Sequence, residues 1–206
     1  GIGSGHPLGI AGGLFHMLNH AIYKSCLFFS TGAVEQQART TDIERLGGLA
    51  KHMPVVFGCF FIAALSVSGV PPLNGFASKW MVYQGIIEAG KAGGPGWIVW
   101  LVAAMFGSAL TLAGMMKLVH AIFLGQPASD NADVSTLEDK TPLVMLSPPA
   151  LLAGLCLLFG IWAYAIPLTY LIFPILEQEI VFPGIWQPTL ATVLILVGIG
   201  FGLVLF

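Results

Sequence analysis

Ser68-Gly69-Val70-Pro71-Pro72-Leu73-Asn74-Gly75-Phe76-Ala77-Ser78-Lys79-Trp80 lies inside an otherwise apolar stretch that runs over residues 55–89. Pro71 and Pro72 have no N–H to donate, and their rings clash with the preceding turn. A helix arriving from residue 55 must therefore stop here and restart near Gly75. The pieces 55–69 and 75–90 are each shorter than the ~20 residues that cross hydrocarbon, so they read as two half-helices of one broken span. Broken backbone at membrane depth leaves unpaired N–H and C=O groups, which are tolerated only where they are buried in protein or line a wet cavity. The break formed by Pro71, Pro72 and Gly75 thus points to a functional cavity.

The remaining sequence supports a membrane setting. Of 206 residues, 56% are hydrophobic and 9% charged, with a mean hydropathy of +0.87, whereas a soluble domain carries about a quarter charged residues. The expected fold is an all-α polytopic transmembrane bundle, a single domain over residues 1–206, with one helix interrupted at membrane depth. Eight Lys and Arg against ten Asp and Glu offer no basic surface for nucleic acid and no polybasic lipid patch. Cys26, Cys59 and Cys156 lie in apolar runs without C-x-x-C spacing, so neither a disulfide framework nor a zinc site is indicated. No charged n-region or cleavage site precedes an apolar core. No signal peptide is expected, and the chain reads as part of a longer one.

Working outward from the break, an apolar span covers 8–34, and a polar loop over 35–52 carries Arg39, Asp42, Glu44, Arg45 and Lys51. Further spans are expected over 97–124, 142–164 and 188–206, with an acidic loop over 125–141. Segment 165–188 contains Pro167, Pro174, Pro183, Glu177 and Glu179 and reads as interfacial or re-entrant. With the broken helix counted once, the two polar loops share one side, which the positive-inside tendency makes cytoplasmic.

His16, His20 and Lys24 follow at four-residue spacing, a stripe along one helix face with about 6 Å of rise between neighbours. A lone histidine there would ordinarily be a packing residue, and an interfacial lysine would snorkel. Lys24, however, is near the middle of its span, and intramembrane ionisable residues are costly and usually functional. In water a lysine titrates near ~10.4, and desolvation can lower that by up to ~3–5 units, so a buried lysine can exchange its proton. Lys79 lies one turn past the break. The positive end of the second half-helix opposes its charge, and the carbonyl end of the first, near Ser66 to Gly69, favours it. Lys117 and His120 lie three apart, where snorkelling explains the lysine as well as a relay does. Glu88 and Lys91 read as solvated. The acidic loop lacks EF-hand spacing, and no phosphate loop, nucleophile elbow or zinc-protease motif is present.

Three ordered motifs carry a resemblance. They are His16-Met17-Leu18-Asn19-His20-Ala21-Ile22-Tyr23-Lys24-Ser25-Cys26-Leu27-Phe28-Phe29, Leu46-Gly47-Gly48-Leu49-Ala50-Lys51-His52-Met53-Pro54, and the segment from Ser68 to Trp80. Together they resemble the antiporter-like subunits of respiratory NADH:quinone oxidoreductase, energy-converting membrane-bound hydrogenases and Mrp-type cation/proton antiporters. The resemblance implies inverted helical repeats, of which only part of the second plus the C-terminal helices is present. It also implies that protons pass along His16, His20 and Lys24 to Lys79, with Lys117 and His120 compatible with the path. Since 6 Å steps exceed a hydrogen bond, waters must bridge them.

The expected function is therefore a non-catalytic, proton-translocating subunit of a complex I-like or hydrogenase-type oxidoreductase in the prokaryotic cell membrane. It would carry no cofactor of its own and would work beside other membrane subunits, with sodium open as a second cargo. The alternatives are an Mrp-type sodium/proton antiporter subunit, a structural membrane subunit, and a haem anchor using His16 and His20. Residues four apart on one helix point to the same side and cannot clamp both faces of a haem. The absorbance spectrum of the purified protein is accordingly expected to lack a Soret band, and a Soret band would reinstate the haem reading.

Overall fold

The computed structural model describes residues 1–93, 96–126 and 141–176. These form α1 (Pro7–Ala38), α2 (Pro54–Ser68), α3 (Asn74–Gly93), α4 (Trp97–Leu124), α5 (Leu143–Ile161) and α6 (Tyr164–Leu176). No strand occurs among the described residues. Both α4 and α5 are long and apolar enough to cross a membrane. The expected last span over 188–206, the acidic stretch over 127–140, and Glu177, Glu179 and Pro183 lie outside the described residues.

The 32 residues of α1 rise about 48 Å, well beyond the ~30 Å of hydrocarbon. Pro7 opens this helix at a position where a missing N–H costs nothing, and the ring nitrogen of His6 accepts from the Leu8 N–H at 3.3 Å. It closes at Arg39, which takes the left-handed conformation at φ 55° and returns its N–H to the Glu35 carbonyl.

In tandem, α2 and α3 pack along the two halves of α1. Antiparallel to its C-terminal half runs α2, with Cys26 against the Cys59 carbonyl. Its N-terminal half runs against α3, where a Cβ on Gly85 would land on the Gly9 backbone and one on Gly12 would meet Met81 and Val82. The pieces on either side of the break are therefore one interrupted partner of α1, as the paired prolines require. Beside α3 and then α2, α4 runs back in the direction of α1. It is joined by the Tyr83–Ser108 hydroxyl contact at 2.6 Å and by Phe57 and Phe60 against Phe123.

The ends of α1 and α4, the 39–53 loop and the start of α5 share one end of the bundle. Gln37 donates to Thr141 at 3.4 Å, and the Ala50 N–H reaches the Phe123 carbonyl at 3.0 Å. This is the arrangement expected when the broken helix is counted once. From that end α5 descends to the break, where Gly160 packs directly on the backbone of Pro72, Leu73 and Asn74. The described part of the segment expected to be interfacial or re-entrant is the helix α6. It seats Leu168 and Ile172 in a cluster with Leu8, Phe15 and Met81, and its wide turns accommodate the buried Pro167.

The side chains of Val99, Trp100, Val102, Met105, Phe106 and Leu110 on α4 are exposed. In lipid such a face costs nothing, and helices associate through close packing of small residues instead. Gly85→Ala tests that packing. Helix propensity alone favours alanine by about 1 kcal/mol, but the added Cβ would occupy the Gly9 backbone, and overpacking costs about 1–3 kcal/mol. A lower thermal dissociation temperature of the detergent-solubilised assembly is expected; a higher one would mean that α1 and α3 do not approach this closely.

Candidate functional site

The C-terminus of α2 leaves its last carbonyls without intrahelical donors. Gly69, at φ 83°, turns its N–H onto the Leu65 and Ser66 carbonyls at 3.1 and 3.0 Å, and Val70 adds a second bond to Leu65 at 3.0 Å. The next two carbonyls are taken by a side chain. Lys79 Nζ donates to Val67 at 2.9 Å and to Ser68 at 3.1 Å. The ammonium thus completes the end of α2 from one turn inside α3 and sits at the negative end of the α2 dipole. Gly69 makes room for it, because a Cβ there would stand 2.8 Å from Lys79 Cδ.

The residue before Lys79 connects the break to α1. Buried Ser78 Oγ lies 2.9 Å from His16 Nδ1 and within reach of the Gly75 and Asn74 carbonyls at 3.2 and 3.4 Å. A hydroxyl carries one proton, so Ser78 either donates to the histidine or accepts from it while donating to the backbone. On its other side, His16 Nε2 faces the hydroxyl of buried Tyr23 at 3.5 Å.

Deeper in the interface, Asn74 opens α3 and points into a network that is fully buried. Its Nδ2 donates to Asn19 Oδ1 at 3.0 Å, and Asn19 Nδ2 donates to the Asn74 carbonyl at 3.0 Å. The Ser66 hydroxyl donates to Asn74 Oδ1. Asn19, Ser66 and Asn74 are each 0% exposed. Gly75 has no room for a side chain, since a Cβ would fall on the Ser66 carbonyl.

The histidine–lysine stripe is divided in space. Half-buried His16 is joined to α3. The ring of His20 is exposed and stands edge-on to Tyr23 with centroids 5.4 Å apart. Lys24 is half-buried and lines a separate cleft of about 370 Å³ that includes Thr31, Glu35, Thr40 and Thr41 toward the loop end. Lys117 and His120 are exposed near the loop end of α4. Glu88 and Lys91 pair with each other at 2.7 Å. The geometry therefore gathers His16 and Lys79 at the break and leaves His20, Lys117 and His120 apart. Asn19, Ser66, Asn74 and Ser78 belong to the site although neither charge nor titration marks them in the sequence.

Residues 1–111, which hold α1 to α3 and the first half of α4, match the family described as NADH:quinone oxidoreductase/Mrp antiporter, TM. The chain belongs to this family. The antiporter-family chain is 34% identical over 162 residues to formate hydrogenlyase subunit 3 of Escherichia coli (strain K12), covering 76% of this chain and 26% of that protein. It is 38% identical over 167 residues to Na(+)/H(+) antiporter subunit A1 of Staphylococcus haemolyticus (strain JCSC1435), covering 78% of this chain and 20% of the relative. Among solved structures it is similar to a chain of the membrane-bound sulfane sulfur reductase, an archaeal respiratory membrane complex. That match has a TM-score of 0.80 at 27% identity and covers 97% of this chain and 33% of the other. The chain thus spans between a fifth and about a quarter of the length of these two curated relatives.

A change at Gly69 tests how far the family site depends on its left-handed turn. Gly69→Ala puts a side chain into the left-handed region, at about 1–2 kcal/mol, and crowds the Lys79 stem. Gly58→Ala adds a Cβ with nothing within 4 Å and serves as the control. Thermal dissociation of the assembled protein is expected to fall for Gly69→Ala and to stay level or rise for Gly58→Ala.

Proposed function

We propose that this chain is part of a proton-translocating subunit of a complex I-like or hydrogenase-type membrane complex, and that protons pass the bilayer midplane at the α2–α3 break through Lys79 and His16. The observation that carries the proposal is the seat of Lys79. The proton-bearing nitrogen is held by two backbone carbonyls at an interruption inside an apolar bundle, and the neighbouring Ser78 contacts a histidine on the facing helix. Backbone broken at this depth belongs beside a wet cavity, and half-helix ends at the midplane are where membrane transporters place their ions. Water bridges would extend the His16–Tyr23 contact toward the more distant Lys24. The cleft at Lys24 opens toward the end of the bundle that carries Arg39, Arg45 and Lys51, which the positive-inside tendency makes cytoplasmic. Redox chemistry would belong to partner subunits in the prokaryotic cell membrane.

A second reading is an Mrp-type subunit that exchanges sodium for protons. The similarity to the staphylococcal Na(+)/H(+) antiporter subunits supports it. Both readings place a proton on Lys79.

The test is proton translocation by inverted vesicles that contain the complete complex, comparing wild type with Lys79→Ala at matched assembly. Loss of a positioned proton carrier is expected to lower translocation about 100-fold or more. Unchanged translocation would remove Lys79 from the path and bring the structural-subunit reading forward.

A further inference from the structure

Two grips hold the end of α2 onto α3, and only one of them involves a charge. Lys79 holds the Val67 and Ser68 carbonyls. Asn74, five residues earlier on the same helix, holds the hydroxyl of Ser66, the residue just before that carbonyl pair. The Asn74 amide is itself fixed from α1. Its Nδ2 donates to Asn19 Oδ1, and the Asn19 amide donates back to the Asn74 carbonyl.

These bonds leave neither amide a choice of orientation. If Asn74 is flipped, its NH2 group faces the Ser66 hydroxyl and its oxygen faces Asn19 Oδ1, which sets acceptor against acceptor in a fully buried site. The backbone around the network has little freedom of its own, with Gly75 against the Ser66 carbonyl and Gly160 of α5 against Pro72, Leu73 and Asn74. A lysine stem has four rotatable carbons and does not select a perch by itself. What places the two terminal carbonyls within reach of Nζ is the register of α3 against α2, and Asn74 sets that register.

We propose that Asn74, oriented by Asn19 and Ser66, is a positioning residue that fixes Lys79 on the last carbonyls of α2 and thereby holds the proton-bearing nitrogen at the break. The inference rests on the proton-carrying reading of Lys79 for its consequence, but not for its geometry. A side chain that merely fills space at position 74 could be replaced by leucine, which is close in volume, without moving the lysine.

The experiment uses the complete membrane complex with Asn74→Leu and, separately, Ser66→Ala, which removes a single hydroxyl and keeps the complex assembled if leucine does not. Each variant is read by cryo-EM at the break and by proton translocation in vesicles at matched assembly. The expected result is that Lys79 Nζ leaves hydrogen-bond distance of the Val67 and Ser68 carbonyls and that translocation falls about tenfold or more, as misplacement by about an ångström does at other positioned groups. Lys79 remaining on both carbonyls in the variants would overturn the proposal whatever the rate. If Lys79 moves in the variants while Lys79→Ala translocates normally, the positioning stands and the proton-carrying reading fails.

Discussion

A helix cannot be cut inside a membrane unless every peptide group exposed by the cut finds a partner, and the rest of this structure is arranged around that requirement. The paired prolines end α2, and four carbonyls come free. Gly69 and Val70 return two of them to the backbone, and the ammonium of Lys79 takes the other two. The side chain that completes the helix end is also the one on which the proposed proton transfer rests. The structural need and the chemical opportunity created by the break are therefore met by the same nitrogen.

The close approach of the surrounding helices follows from the same constraint. Asn19 and His16 are short enough that they reach α3 only if the backbones come close, and glycines at 9, 12 and 85 permit this. On the far side of the break, Gly160 lets α5 lie on exposed backbone that a larger residue would hold away. Without these contacts the buried amides would lose partners, and unpaired polar groups in a buried site are expensive.

The broken helix, the 97–124 span and the shared end of α1, α4 and the start of α5 were legible in the sequence because they depend on hydropathy and on proline, which act locally. The end of α1 was less so. The apolar run stops at Val34, but the helix continues through Glu35, Gln36 and Gln37 to the left-handed cap at Arg39, since leaving the hydrocarbon does not end a helix. The stripe of His16, His20 and Lys24 was legible as a spacing, but not which of its members meets α3. At about 100° per residue, each four-residue step turns about 40° around the axis. When His16 faces Ser78, His20 and Lys24 are turned about 40° and 80° to one side, while Tyr23 and Asn19 lie about 20° and 60° to the other, where Asn19 meets Asn74. The amide network could not be read from sequence. Its partners are 55 residues apart in the chain, and asparagine and serine in an apolar run carry no signal of which neighbour they will meet.

The surroundings of Lys79 show why neutral residues suit this place. Lys91 pairs with Glu88 away from the break, and the lysine at the break rests on the Val67 and Ser68 carbonyls, flanked by serine and asparagine. A carboxylate partner would form a charge pair whose separation inside a low-dielectric bundle is costly, and such a pair would tend to keep its proton distribution fixed. Dipoles attract the ammonium more weakly and at a defined angle, and they remain satisfiable by water if the ammonium departs. The site therefore fixes the position of the nitrogen through hydrogen bonds to neutral groups, which is the setting the proposed proton transfer calls for.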